Sequence, residues 1–154
     1  MAAPPRDVLT CEIRIDARPE TVFPYFTDPA RIVRWKGRSA TLDPQPGGVY
    51  RVEINDRAVA RGEYLDVTPF TRVVFTWGWE GSNPAHPVPP GSSTVKVELV
   101  PDGDGTLVRL THHDLPPAER GNHEQGWTHY LGRLAQAAAG RDPGPDPLGQ
   151  MQSD

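Results

Sequence analysis

Apolar side chains alternate with polar ones at a period of two along most of this chain, and that pattern confines it to β-rich architectures. Leu9, Cys11, Ile13 and Ile15 alternate with Thr10, Glu12 and Arg14. The same rule recurs in Tyr50, Val52 and Ile54, in Val73, Phe75, Trp77 and Trp79, in Val95, Val97 and Leu99, and in Val108 and Leu110. Each stretch predicts a strand with one dry face and one wet face. Asn55-Asp56, before a strand over 58–67, and Asp102-Gly103-Asp104-Gly105, between the Val95 and Val108 strands, carry hairpin-turn chemistry. Sequential hairpins imply an antiparallel sheet.

Two stretches leave this period. Between Asn122 and Ala139 the residues His123, Trp127, Leu131, Leu134 and Ala138 repeat every three or four positions, which predicts one amphipathic helix with Asn122 as its cap. Near the front, Pro19 suits a first helical turn and Val22, Phe23 and Phe26 follow, but Pro24 lies too deep for an unbroken ladder. Two short helical pieces are expected there, the second opening at Asp28-Pro29. The 18 prolines also mark boundaries. Pro84, Pro87, Pro89 and Pro90 crowd a loop over 81–93, and Pro143, Pro145 and Pro147 a polar tail over 141–154. The expected organisation is a disordered start over 1–7, one folded domain over 8–140 and a disordered tail.

A chain of 154 residues buries roughly 70% of its unfolded surface as a single domain. Its 16 Lys and Arg against 20 Asp and Glu leave a net charge of -4, with no basic stripe for a phosphate backbone. Nucleic acid is not an expected partner. Cys11 is the single cysteine, so no intramolecular disulfide forms, and no apolar run approaches the ~20 residues that span a bilayer. With no apolar signal region at the start, the expected location is the cytoplasm, without membrane insertion.

A strand, a short helical excursion, an antiparallel run and a final amphipathic helix make an α+β domain in which one sheet face must be covered. A curved sheet of six or seven strands around one long helix does this, and the space the helix does not fill is a pocket. The segment Ile15 to Trp35, with Ala17, Pro19, Glu20, Val22, Phe23, Thr27-Asp28-Pro29 and Trp35, resembles the opening of the SRPBCC or START-like superfamily, which includes the Bet v 1 type helix-grip fold. Pro46-Gly47-Gly48, Gly62-Glu63, Val74-Phe75-Thr76-Trp77, Gly105-Thr106 through Thr111-His112, and His123-Glu124-Gln125-Gly126-Trp127 with Tyr130-Leu131 and Leu134 are similar to the subgroup related to the C-terminal domain of activator of Hsp90 ATPase. The resemblance runs from about Thr10 to Ala139. It implies a helix-grip domain with a cavity, in a superfamily whose members bind lipids, sterols, polyketides or hormones, sometimes catalyse cyclisation or dehydration, and in the namesake stimulate a chaperone.

Of the residues that carry chemistry, the histidines titrate nearest neutrality. His112 continues the inward alternation of Val108 and Leu110, and His123 lies on the helix stripe, so the two imidazoles are expected to meet inside the domain, with Glu63 or Tyr64 as a third polar group. Two readings stand: an acid/base pair, or hydrogen-bonded core groups that orient the helix. No pair of histidines has metal-ligand spacing, and no phosphate loop, dinucleotide fingerprint or nucleophile elbow occurs, so neither metal nor cofactor is expected. Phe23, Phe26, Trp35, Trp77, Trp79, Trp127 and Tyr130, with His112 and His123, are the candidate wall of a ligand site or equally part of the core. The proline-rich loop after Trp79 is either a lid or a tolerated insertion.

The function expected from these features is non-catalytic binding of a small hydrophobic or aromatic molecule. The alternatives are a protein that docks a chaperone or a second copy of itself, and a cyclase, dehydratase or hydrolase with an inward histidine as general base.

Overall fold

The computed structural model describes residues 8–55, 58–81 and 88–144. The predicted disordered start, most of the tail, the tip of the Asn55-Asp56 turn and the middle of the proline-rich loop lie outside these residues. Seven strands form one antiparallel sheet: β1 (Leu9–Ile15), β2 (Ser39–Leu42), β3 (Val49–Glu53), β4 (Val59–Thr68), β5 (Arg72–Trp77), β6 (Ser93–Asp102) and β7 (Gly105–His113). Their spatial order is β1-β7-β6-β5-β4-β3-β2, so the chain runs as a meander from β2 to β7 and β1 closes the far edge beside the last strand. The sheet curves around the long helix α3 (Arg120–Ala138), the α+β helix-grip arrangement.

The alternation explains the layering. Tyr50 and Val52 on β3, Val73, Phe75 and Trp77 on β5, Val95, Val97 and Leu99 on β6, and Val108, Leu110 and His112 on β7 are all buried. Against them α3 lays His123, Trp127, Tyr130, Leu131, Leu134, Ala137 and Ala138. Its 19 residues make a rod of about 28 Å. The helix begins earlier than the sequence predicts, and Asn122 is exposed within its first turn instead of capping it. The reason lies upstream: Pro117 opens a 3-10 turn over Pro117–Glu119, with Glu119 N bonded to Pro116 O at 2.8 Å, and the helix grows directly out of that turn.

The excursion after β1 is divided where Pro24 requires. α1 (Pro19–Val22) gives way to a 3-10 turn over Phe23–Phe26, and α2 (Pro29–Ile32) starts at Asp28, whose side chain accepts from Ala30 N at 3.0 Å. The 3-10 segment lets Pro24 sit in a first turn, where its missing N–H costs nothing. The short edge strand β2 is absent from the periodicity pattern because its residues are half-buried to exposed and carry little apolar alternation. The stretch 141–144, assigned to the tail by composition, lies against α3: Arg133 donates to Pro143 O at 3.4 Å and to Gly144 O at 3.0 Å. Among the described residues no helix is long and apolar enough to cross a membrane.

Candidate functional site

Where His123 and Trp127, in the N-terminal half of α3, meet His112 of β7 and Trp77 of β5, the core stops being purely apolar. His112 is fully buried, and its neighbours fix its chemical state. Trp127 Nε1 donates to His112 Nδ1 at 3.0 Å; an indole nitrogen can only donate, so Nδ1 carries the lone pair and Nε2 the proton. That proton goes to Ser93 Oγ at 2.8 Å, and the Ser93 hydroxyl donates in turn to Trp77 O at 2.9 Å. The relay therefore runs in one direction from α3 through β7 and β6 to β5. It leaves the imidazole neutral with no lone pair for a substrate. Burial, followed by the charges of His123, Lys36 and His113, pushes the His112 pKa down to about 2.

His123 completes the imidazole pair: the two ring centroids are 5.5 Å apart and nearly perpendicular. Its Nδ1 proton goes to Glu119 O at 2.9 Å, one turn back on the same helix. The expected third polar group is neither Glu63 nor Tyr64. Glu63 is exposed on the outer side of β4, and Tyr64 spends its hydroxyl on Phe26 O at 2.9 Å. Ser93 takes that place because β6, not β4, is the strand beside β7, with Val95 opposite His112.

The residue that dominates the electrostatics is one the sequence analysis passed over. Lys36 is 2% exposed. Its Nζ lies 4.0 Å from the ring centroid of Trp77 and 4.0 Å from that of Trp127, in the angle between the two indoles, with the Tyr50 ring at 5.9 Å and the Trp35 ring at 6.0 Å. Among the described residues its hydrogen bonding is a long contact to the Tyr50 hydroxyl, 3.4 Å, and no carboxylate pairs with it. Burial without a counter-ion drives the Lys36 pKa well below the ordinary lysine range. The indole faces pull the other way, each contributing about 0.5–2 kcal/mol toward the cation. The Tyr50 hydroxyl, equally buried, is shifted well upward and stays protonated. Beside them Trp77 Nε1 is a buried donor with no acceptor among the described residues.

Gly37 is what turns Lys36 inward. At φ +83° it ends the α2 turn and swings the chain toward β2, and a Cβ there would meet Val52 Cγ1 at 2.6 Å and Glu53 O at 2.9 Å. Gly37→Ala is expected to cost about 1–2 kcal/mol from the left-handed backbone alone. Guanidinium denaturation of the variant against the parent measures it; an unchanged midpoint would show that the turn does not depend on glycine.

The predicted wall residues separate into two groups. Trp77, Trp79, Trp127, His112 and His123 gather, with Trp77 5.3 Å from Trp79 and 5.2 Å from Trp127, and Trp79 5.9 Å from His123. Trp35 joins them through Lys36 while its Nε1 donates to Tyr25 O at 2.9 Å. Phe26 packs edge-on against Trp35 at 5.4 Å, and Phe23 against Phe70 at 5.7 Å, on the side of the entry helices. Tyr130 is buried on α3, its ring 4.9 Å from His129. Among the described residues no three His, Cys, Asp or Glu side chains converge as a metal site.

Comparison with known proteins matches residues 16–139 to the family model of activator of Hsp90 ATPase homolog 1-like proteins. The chain belongs to the AHSA1-like family. An AHSA1-like protein of Rhizobium etli, solved by NMR, is 48% identical over 91% of this chain and 86% of its own, with a TM-score of 0.71. CalU16 from Micromonospora echinospora is 28% identical over 86% of this chain and 76% of its own, at a TM-score of 0.70. The Aha1 dimer of Colwellia psychrerythraea, 18% identical over 86% of this chain and 96% of its own at a TM-score of 0.72, shares the fold. A search of curated protein sequences gives no significant match.

Proposed function

We propose that this AHSA1-like domain binds a small, largely apolar molecule between α3 and the concave face of the sheet, without transforming it. The observation that carries the reading is the composition of the core around Trp77 and Trp127. Rings offer large, rigid apolar area there, yet among them lie the Lys36 amine, with one long bond to the Tyr50 hydroxyl, and the Trp77 N–H, with no acceptor among the described residues. A core that served packing alone would gain by replacing both groups with apolar ones. The alternative with an inward histidine as general base asks for a lone pair that on His112 Trp127 occupies, which leaves that role to Nε2 of His123, whose Nδ1 proton goes to Glu119 O.

A chaperone or a second copy of the chain is the competing kind of partner. It draws on the family description and on the Colwellia dimer, whose 18% identity carries architecture only.

The test is calorimetry and thermal unfolding of the protein with a panel of naphthalene and C12 alkyl compounds. Micromolar binding is expected, giving about 2.7 kcal/mol of protection at a hundredfold excess over Kd, a rise of several degrees in Tm, together with a change in tryptophan fluorescence. Absence of heat, protection and fluorescence change across the panel would overturn the reading.

A further inference from the structure

The groups around Lys36 are unbalanced in one direction. The Lys36 amine, which donates to the Tyr50 oxygen, the Tyr50 O–H and the Trp77 N–H outnumber the acceptors around them: His112 has spent its lone pair on Trp127, Nε2 of His123 lies behind His112, and no carboxylate pairs with Lys36 among the described residues. This cluster, bordered by indole and phenol faces, holds more donors than acceptors. What satisfies it is a molecule whose apolar body lies against the rings and whose oxygen atoms accept.

Resting on the binding function just proposed, we infer that the ligand is an apolar acid whose carboxylate seats on Lys36 Nζ, with Tyr50 and Trp77 as further donors. A neutral carbonyl would satisfy one donor; a carboxylate presents about four lone-pair sites and supplies the charge the ammonium lacks. The pairing also explains how a lysine survives in this place. In the complex the ammonium has a counter-ion in a low dielectric, and the aromatic faces that hold it are already in position. Lys36 is a binding residue and makes no covalent bond to the ligand.

Proton linkage follows from the burial. The uncomplexed amine holds its proton weakly, so a carboxylate brings one in with it, and acid affinity weakens as pH rises. The groups facing Lys36 are Tyr50 from β3 and His112 from β7, with His123 of α3 behind His112. Both Tyr50 and His112 stay neutral between pH 7 and 9, their pKa values lying well above and well below that window, and the same titration of Lys36→Met separates the lysine's protons from any taken up by His123.

The experiment compares matched pairs by isothermal titration of the full chain: naphthalene-2-carboxylate against 2-naphthalenemethanol, and dodecanoate against dodecanol. Runs in buffers of different ionisation enthalpy count the protons taken up. The acids are expected to bind at least about tenfold tighter than the alcohols, with proton uptake that grows as pH is raised from 7 to 9, and Lys36→Met is expected to reduce that preference to about threefold or less. Alcohols that bind as tightly as the acids overturn the role of Lys36 and leave the binding function standing. An acid preference that persists in Lys36→Met also overturns it. If neither member of either pair binds, both readings fall. Should Lys36→Met fail to fold, the acid-to-alcohol ratio and the proton count of the parent protein decide alone.

Discussion

Replacing Lys36 by methionine is expected to stabilise the ligand-free protein by about 1–4 kcal/mol, the range in which buried charged groups give way to apolar ones of similar shape. Methionine keeps the length and flexibility of the lysine stem, and its sulfur makes favourable contacts with aromatic rings. Those contacts offset most of what the ammonium gains over Trp77 and Trp127, each 4.0 Å away. What is removed is the cost of carrying an amine that is 2% exposed with no carboxylate beside it.

The gain has a defined pH dependence. Burial lowers the folded-state pKa of Lys36, so between that value and the ordinary 10.5 the unfolded chain binds the extra proton, and stability rises with pH. Lys36→Met lacks this slope. Its advantage is therefore largest near neutrality and closes as pH approaches 10.5. Guanidinium unfolding of both proteins at pH 7, 8, 9 and 10 reads the difference directly. A variant less stable than the parent by 1 kcal/mol or more would mean that the ammonium is already well partnered, and the acid-binding argument would lose its foundation. The predicted pair of outcomes, a firmer fold with poorer acid binding, is the trade expected where a group is retained for binding at the expense of the core.

The fold was legible because one face of nearly every strand is dry. Val108 and Leu110 alternate on β7 and carry the pattern into His112, and the stripe through Trp127 and Leu131 places His123 on the same side as the sheet. Those two rules suffice to bring the imidazoles within 5.5 Å. Lys36 was not legible by the same logic. In Arg34-Trp35-Lys36-Gly37 a lysine reads as solvated, and only the left-handed turn at Gly37, held by the approach of Val52 and Glu53, makes it point inward. That approach belongs to the pairing of β2 with β3, a tertiary fact. Ser93 was obscured in a similar way, since it follows the proline-rich loop and begins a strand whose apolar run starts at Val95. Phe23 and Phe26 follow the apolar pattern faithfully but close on Phe70 and Trp35, because the 3-10 turn forced by Pro24 rotates them away from the imidazoles.

Acid is expected to destabilise this domain earlier than its carboxylates alone would. The folded-state pKa of His112 is about 2 against 6.5 in the unfolded chain, so below pH 6.5 the unfolded state binds a proton that the folded state refuses. The contribution is lost at about 1.4 kcal/mol per pH unit, roughly 2 kcal/mol by pH 5 and about 3 by pH 4. Its cause is geometric as well as dielectric: a proton on Nδ1 would set an N–H against the N–H of Trp127, 3.0 Å away. The single variant His112→Leu is a poor control, since it strands the buried Trp127 donor at a cost of about 1–3 kcal/mol. Pairing it with Trp127→Phe removes both ends of the bond, and Ser93 keeps its own bond to Trp77 O. Urea unfolding of the parent and of the double variant between pH 7 and 4 should then show the parent losing about 3 kcal/mol more. Parallel slopes would mean that His112 accepts a proton where it stands, reopening its ring to acid/base chemistry. A steeper parent slope keeps it as the neutral bolt between α3 and the sheet.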